Sequence, residues 1–535
     1  RYGLAFALLF LFLLVIYGNS FDSSWHFDDF DNIVHNPAVH VHDLSAKELY
    51  KSFFGIMNTG RWSRPFSYLS FAVNYHFGGL DVFGYHLVNF TIHCLAAIFL
   101  FLLIYQTLEL PLLRRDYARH AYSISLMASL LWAVHPIHVS AVTYIVQRMA
   151  SMAALFYFMA MFFYVKARTS SGSRTRQIIF ACCCGISAVM ALASKENAAM
   201  LPASLFLYEI LLIQGYRKES RWAYAAAAAA VCLLIFGIGL LYADWSSLKG
   251  GYDNFRPFTL WERVLTEPRV ILFYVSLLFY PVSSRLMLCH DIDISKTLFD
   301  PWTTAASILI LLIMTCAALA MARKKPLIAY SILFFLLNHV IEASFLSLEL
   351  VYEHRNYLPS AFLFVPVALL VINAMDRFWA KGVVFYVLIG SMICILIVLG
   401  VTTRMQNDVY RDEFVLWSDN VAKTPNLHRP LHNLGVALMM RGRCGEALES
   451  YQRALTAKIH DYIYRKYDTY LSMADCYILM GEDDHALTVM QKAEAWYTRH
   501  PELHRRKAEI MMRKGNLSEA ERLIQAAIGF KPRSA

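Results

Sequence analysis

The chain has 535 residues, of which 58% are hydrophobic and 17% are charged. Soluble domains average roughly 45–50% apolar and about 25% charged residues, so this composition excludes a soluble globular protein and indicates a polytopic membrane protein. The formal net charge of +9 does not indicate a nucleic-acid partner, because the basic residues are concentrated in short loops between apolar segments, a pattern that sets membrane topology.

About eleven apolar segments of helical length are expected to cross the membrane, although some are shorter than the roughly 20 residues that a perpendicular span needs. They are residues 3–18, 87–105, 121–134, 149–165, 177–193, 198–213, 223–242, 302–322, 327–341, 358–375 and 382–402. A further segment, 270–281, is apolar but short, ends at Pro281 and has polar residues on both sides. We predict that it forms a re-entrant or interfacial helix.

Alternate connections between these segments carry the basic residues, which places those connections in the cytoplasm. They include Arg114-Arg115, Arg217-Lys218 with Arg221, and Arg323-Lys324-Lys325. The opposite, external side then receives the first loop, residues 19–86, and the whole C-terminal region. The expected location is the bacterial inner membrane with these parts in the periplasm, or the endoplasmic reticulum membrane and lumen in a eukaryote.

The composition changes after residue 403, where charged residues become frequent. We predict a transmembrane domain over 1–403, a linker helix over 404–427, and about three tetratricopeptide repeats over 428–535. Small residues recur at the repeat spacing, as at Ala447, Ala486 and Ala520, and let paired helices pack closely. The predicted fold is therefore all-α, a polytopic membrane domain followed by an α-solenoid that either binds a polypeptide or serves stability and assembly alone.

Several groups of ionisable residues fall on the predicted external side, beginning with Asp28 and Asp29 in the first loop. Ionisable groups at membrane depth are tolerated mainly where they line a cavity or pathway. Cations could hold a lipid phosphate, and a carboxylate could take the proton from an attacking hydroxyl. The other candidates are the cations Arg64, Arg148, Lys195 and Arg355 and the pocket residues His135, His138, Glu196, Glu353 and His354.

Each of these groups also has a purely structural interpretation. An aspartate can cap a helix, an Arg at the start of a span can extend to the interface, and Lys195-Glu196 or Glu353-His354-Arg355 can pair locally. His135 and His138 lie on either side of Pro136-Ile137, and this segment could serve simply to break the chain between two spans. We assign no metal or cofactor, although the sequence leaves a divalent metal open.

The order and identity of these short motifs resemble one family along essentially the whole chain. The motifs are Asp28-Asp29 with Ile33, Asn36 and Val39; Arg64-Pro65-Phe66; Phe83 to Asn89; His135-Pro136-Ile137-His138 with Ala141-Val142; Ser194-Lys195-Glu196; and Glu353-His354-Arg355 with Tyr357-Leu358-Pro359. In this combination the chain resembles the transmembrane and tetratricopeptide repeat (TMTC) proteins, which are grouped with the GT-C glycosyltransferases. The short repeat array indicates a bacterial relative.

The resemblance implies a GT-C fold and transfer of a sugar, with mannose expected, from a polyprenyl-phosphate donor to Ser or Thr hydroxyls of an exported protein bound by the repeats. It also implies that an acidic residue of the first external loop is the base, usually the first of an acidic pair. Transfer to a lipid or glycan acceptor and a non-enzymatic membrane-anchored scaffold remain alternatives. The sequence leaves open the sugar, the acceptor, the stereochemistry and the choice between Asp28 and Asp29.

Overall fold

The computed structural model describes residues 2–55, 62–170, 172–215, 251–253, 256–380, 382–459, 465–494 and 501–529. Over these residues the chain forms helices and connecting turns, with one isolated parallel bridge between Leu427 and Lys458 and no β-strand. The predicted all-α fold is confirmed. The chain divides into a first unit, Arg1–Asp244, Trp261–Leu288 and Ile294–Asp412, and a second unit made of the remaining residues.

The first unit combines long apolar helices with several short ones. Those that the structure describes are α1 Tyr2–Tyr17, α2 Ala46–Ser52, α3 Pro65–Gly78, α4 Val82–Leu108, α5 Pro111–Tyr117, α6 Ala121–Ala133, α7 Val139–Val142, α8 Arg148–Thr169, α9 Arg174–Leu192, α10 Leu201–Tyr208, α11 Leu260–Phe279, α12 Thr303–Met321, α13 Pro326–His339, α14 Phe364–Arg377 and α15 Gly382–Val409.

The expected multi-pass membrane protein is confirmed by the length and composition of these helices. In the described part of the chain, eight are long and apolar enough to cross a membrane, and the pair Pro111–Ala133 and Pro136–Val142, bent by 54°, makes up to nine. Helix α13 corresponds to the predicted segment 327–341. The predicted span 223–242 and the basic residues 217–221 lie outside the described residues.

Helix α11 is longer than the apolar segment predicted over 270–281. It begins at Leu260 and carries Arg263 and Glu267 on its buried side. The prediction missed the first half of this helix because its charged residues indicate a polar stretch outside the membrane. They are instead paired inside the protein, with 2.7 Å between Arg263 Nη2 and Glu267 Oε1.

The second unit is built mainly from helical hairpins. Helix α16, Glu413–Lys423, is followed by the hairpins α17 His428–Met440 with α18 Cys444–Thr456, α19 Arg465–Met480 with α20 Asp483–Glu494, and α21 Pro501–Arg513 with α22 Leu517–Gly529. Gly442, Gly481 and Gly515 adopt positive φ angles where the first helix of each hairpin ends. A glycine in that conformation satisfies the last carbonyls of a helix and stops it. The three hairpins lie within residues 428–535, where the sequence predicts about three tetratricopeptide repeats.

Close packing within the first hairpin depends on Gly435. A Cβ atom at this position would lie 2.4 Å from Tyr451 Cε1, and the Tyr451 ring is fully buried. We expect Gly435→Ala to destabilise this hairpin by about 1–3 kcal/mol through overpacking. Hydrogen exchange should accelerate in α17 and α18.

Gly445→Ala is the matched control, because no atom lies within 4 Å of its added Cβ and Ala favours the helix that it would occupy. It should leave exchange unchanged or slow it. Equal exchange in wild type and Gly435→Ala would contradict the packing account.

Candidate active site

The predicted external motifs converge on short turns between helices of the first unit. The part of the first loop that carries Asp28 and Asp29, here called the acidic loop, is followed by a π-helical turn, Phe30–Val34. Other predicted residues lie on the 3₁₀ turns Pro136–His138, Glu196–Met200 and Glu353–Asn356. Short 3₁₀ and π-helical segments often occur at functional sites.

Asp29 is a fully buried carboxylate that fixes the acidic loop. Its Oδ2 accepts a hydrogen bond from the His26 N–H at 2.9 Å, and its Oδ1 accepts one from the Val146 N–H at 2.7 Å. Burial raises the pKa of Asp29 to about 7 even though His26 and these amides favour the charged form. Phe27, just before this turn, has a φ of 39°, which is a rare conformation for a bulky residue.

Asp28 occupies a different environment, because its side chain is only partly buried. Its backbone is held on both sides. The Asp28 N–H donates to the Tyr144 hydroxyl at 2.8 Å, and the Asp28 carbonyl accepts from Asn32 Nδ2 at 2.7 Å. The two neighbouring aspartates therefore differ in burial, because backbone amides enclose the Asp29 carboxylate whereas Asp28 is partly exposed.

A group of charged side chains, here called the ionic cluster, contains several predicted residues. Arg64 contacts Glu196 through Nε at 3.0 Å to each carboxylate oxygen and through Nη2 at 2.9 Å. Lys195 Nζ lies 3.1 Å from Glu342 Oε1, and Arg355 Nε lies 4.0 Å from Glu342 Oε2. The ionic cluster consists of Arg64, Lys195, Glu196, Glu342, His354 and Arg355.

The ionisation of the ionic cluster follows from burial and charge. Burial lowers the pKa of His354 well below its ordinary value, and the charges of Lys195, Arg355 and Arg64 lower it further, so the imidazole is neutral. Burial opposes ionisation of Glu342, but Lys195 and Arg355 outweigh it and lower the pKa of that carboxyl. Three cations and two carboxylates thus give the cluster one net positive charge.

Contacts link the acidic loop to the ionic cluster. Tyr144, bonded to the Asp28 N–H, has its pKa raised well above the ordinary value by burial and by the nearby Asp28, Asp29 and Tyr352. The Tyr352 ring stacks on His354 at 5.1 Å, and the Arg355 guanidinium lies 5.5 Å from the centre of the same ring. Tyr144 and Tyr352 therefore lie between the Asp28 backbone and the side chains of His354 and Arg355.

A second set of contacts also connects the acidic loop with the ionic cluster. The Tyr68 hydroxyl donates to Asn32 Oδ1 at 2.6 Å, and Asn32 in turn holds the Asp28 carbonyl. Tyr68 stands one helical turn after Arg64 at the start of α3. The acidic loop and the ionic cluster consequently form one contiguous region.

Other predicted pocket residues hold the chain segment that follows α11. His135 Nε2 lies 3.0 Å from the Leu278 carbonyl, and Glu353 Oε1 accepts from the Met287 N–H at 2.7 Å. His138 is buried beside the rings of Trp132 and Tyr357, both at 5.0 Å, and neither of its ring nitrogens has a hydrogen-bond partner. These residues sit in packed interior.

Arg148 lies outside the ionic cluster, although it was predicted to join it. Its guanidinium is fully buried and donates to Asn89 Oδ1 and Asn74 Oδ1, both at 2.6 Å, and to the Tyr85 carbonyl at 2.9 Å. The cation also lies 4.7 Å from the centre of the Phe71 ring. All these partners belong to α3 and α4, so Arg148 joins two helices to the start of α8.

Two residues of this region were not singled out from the sequence. Glu342 lies just after α13, and Arg263 holds the loop that follows it by donating to the carbonyls of Glu342 at 2.8 Å and Ser344 at 3.0 Å. A lone acidic residue beside an apolar span was the available signal, because such a residue needs a partner. Among the residues that the structure describes, no group of His, Cys, Asp and Glu could hold a metal ion.

The described residues thus define an all-α, multi-pass membrane protein that combines a largely buried ionic cluster, open at Arg64 and Glu196, with an acidic loop and an array of helical hairpins. No protein-family model matches the chain. Similar proteins are named protein O-mannosyl-transferases, which confirms the resemblance to the TMTC group.

Protein O-mannosyl-transferase F38B6.6 of Caenorhabditis elegans is 23% identical over 454 residues, which cover 80% of this chain and 59% of that protein. Tmtc3 of Drosophila melanogaster is 28% identical, with 38% of this chain and 24% of that protein covered. TMTC4 of Homo sapiens is 31% identical, with 29% and 22% covered. The chain therefore spans between about a quarter and three fifths of the length of these relatives.

Proposed function

We propose that this protein is a glycosyltransferase of the GT-C type that moves a sugar, with mannose expected, from a polyprenyl phosphate to a Ser or Thr hydroxyl of a protein. The observation that carries the proposal is the pair of contact chains, one through Tyr144 and Tyr352 and one through Asn32 and Tyr68, that connect the Asp28 loop with an ionic cluster of net positive charge. The names of the similar proteins, protein O-mannosyl-transferases, support the reaction and the sugar.

The ionic cluster suits the phosphate of a lipid-linked donor. Arg64 is matched by Glu196, whereas Lys195 and Arg355 share the carboxylate of Glu342. Arg355 also interacts with Glu267, which is itself paired with Arg263. Charge-assisted hydrogen bonds from such cations hold phosphate oxygens and stabilise the charge that grows on a leaving phosphate. A donor embedded in the membrane would need no soluble nucleotide on this side.

Asp28 is the proposed base. The acceptor oxygen attacks the anomeric carbon while its proton passes to the Asp28 carboxylate. The bond between that carbon and the phosphate oxygen breaks, and its electron pair leaves with the polyprenyl phosphate. Partial exposure leaves Asp28 accessible to a hydroxyl, whereas Asp29 is enclosed by the amides of His26 and Val146.

The remaining predicted residues have supporting roles in this proposal. Asp29 fixes the acidic loop, His135 and Glu353 hold the segment after α11, and Arg148 joins α3 and α4. His354 is a neutral wall of the phosphate site next to Tyr352. The proposal assigns no metal or cofactor to these residues.

The helical hairpins of the second unit are the proposed binding site for the acceptor polypeptide, on the external face of the membrane, which is the periplasm in a bacterium or the lumen of the endoplasmic reticulum in a eukaryote. Deleting residues 413–535 is expected to reduce mannose transfer to protein at least tenfold while polyprenyl-phosphate mannose still binds. Labelled donor in membranes containing either version provides the measurement.

Two outcomes of this deletion would count against the assignment of the acceptor. Undiminished labelling of protein would show that the hairpins do not bind the acceptor. Label in the lipid fraction from both versions would show that a lipid receives the sugar.

A further inference from the structure

Glu342 is the carboxylate that lies between two cations of the ionic cluster. Its carboxylate is buried between Lys195 Nζ at 3.1 Å and Arg355 Nε at 4.0 Å, and Asn197 Nδ2 lies 3.4 Å from Oε1. The Glu342 carbonyl is held by the buried Arg263. The carboxylate therefore lies between the two cations, with Oε1 near Lys195 and Oε2 near Arg355.

The number of charges in the ionic cluster depends on this one side chain. With Glu342 ionised, three cations face two carboxylates. Arg64 and Glu196 already match each other through three contacts. Without the Glu342 charge, Lys195 and Arg355 would leave the cluster with two net positive charges.

The proposed reaction changes the charge of the ligand in this same place. A polyprenyl-phosphate sugar is a phosphodiester with one negative charge. Transfer releases polyprenyl phosphate, a monoester that carries about −1.5 to −2 at pH 7, like other phosphate monoesters. A cluster with two net positive charges would favour the product over the substrate more strongly than a cluster with one, because the attraction grows with each additional charge on either partner.

We propose that Glu342 determines ligand specificity by limiting the ionic cluster to one net positive charge, which weakens the preference of the site for doubly charged lipid phosphates over a singly charged lipid phosphodiester. The inference rests on the proposed function. It adds that Glu342 promotes product release and discriminates against lipid diphosphate sugars. Glu342 acts through Lys195 and Arg355 and is a specificity-determining residue, not a catalytic one.

The test uses the purified full-length protein, with polyprenyl-phosphate mannose and polyprenyl phosphate as separate ligands in native mass spectrometry. Glu342→Gln keeps the shape and an oxygen for Lys195 but removes the charge. We expect it to strengthen binding of polyprenyl phosphate relative to the mannose-carrying diester by tenfold or more, and kcat to fall as the product is retained. Glu342→Asp should keep the wild-type ratio.

A double variant separates charge from structure. Lys195→Gln combined with Glu342→Gln removes both members of a buried pair and restores one net positive charge, so the ratio of the two affinities should return toward wild type. The control is Glu209→Gln, which removes a carboxylate that contacts Arg168 Nη2 at 2.6 Å elsewhere in the first unit. It should leave the ratio unchanged.

Equal loss of both ligands in Glu342→Gln, or an unchanged ratio, would overturn the inference and assign Glu342 a structural role only. An unchanged ratio that accompanies normal binding and transfer by the wild type would leave the proposed function standing. Failure of the wild type to bind either lipid would overturn the proposed function and this inference with it.

Discussion

Replacing Asp28 with Asn is expected to reduce sugar transfer about 10²–10⁴-fold, because Asn cannot accept the proton of the acceptor hydroxyl. The loop should keep its shape, since the contacts with Tyr144 and Asn32 are made by the Asp28 backbone. Donor binding should therefore change little. The rate of transfer from polyprenyl-phosphate mannose and the affinity for that donor are the two measurements.

Asp29→Asn provides the contrast in the same loop. The folded-state pKa of Asp29, about 7, lies above its ordinary value of 3.8, so the native state retains a proton that the unfolded chain has lost. The stabilisation from this proton is complete below pH 4 and is lost as pH rises through about 7, a difference of about 4 kcal/mol.

The melting temperature of the wild type should therefore fall between pH 5 and pH 8 more steeply than that of Asp29→Asn. Transfer should decline far less in this variant than in Asp28→Asn. Full activity in Asp28→Asn together with loss in Asp29→Asn would exchange the two roles.

The second large effect is expected at Arg148. Arg148→Ala would leave Asn74, Asn89 and the Tyr85 carbonyl without their donor in a buried region, and each unpaired group costs about 1–3 kcal/mol. Arg148→Lys should also destabilise the protein, because one ammonium group cannot reach acceptors that a guanidinium spans. Thermal unfolding in detergent should show a large decrease in stability for both variants.

Lys195→Gln is the comparison, because Lys195 belongs to the ionic cluster. It should weaken donor binding and leave the melting temperature closer to that of the wild type than either Arg148 variant does. An Arg148→Ala protein that is as stable as the wild type but does not bind the donor would place Arg148 at the phosphate after all.

The first unit could be anticipated from the sequence wherever a single segment carried the information. Apolar length located the spans, because a bilayer sets the length of a crossing helix. The hairpins of the second unit followed from recurring small residues such as Ala447 and Ala486, whose spacing reflects contact between neighbouring helices. Both signals are local, and the structure has helices at the corresponding positions.

The candidate site could be anticipated only in part, because the direction of a side chain depends on elements far apart in the chain. The sequence placed Arg148 with the other cations, yet its partners lie on α3 and α4. Conversely, Glu342 joins Lys195 and Arg355 only after α13 and the turn at Glu353–Asn356 are brought together. Arg263 and Glu267 lie outside the apolar segment that the sequence predicts, although they are paired with each other inside the protein.

The most direct measurement is the fate of labelled mannose when the purified full-length protein is supplied with polyprenyl-phosphate mannose and a mixture of exported proteins. The proposed function predicts label on protein that alkaline elimination releases from Ser and Thr, with polyprenyl phosphate formed in equal amount. No label on protein, with the donor recovered intact, would contradict it.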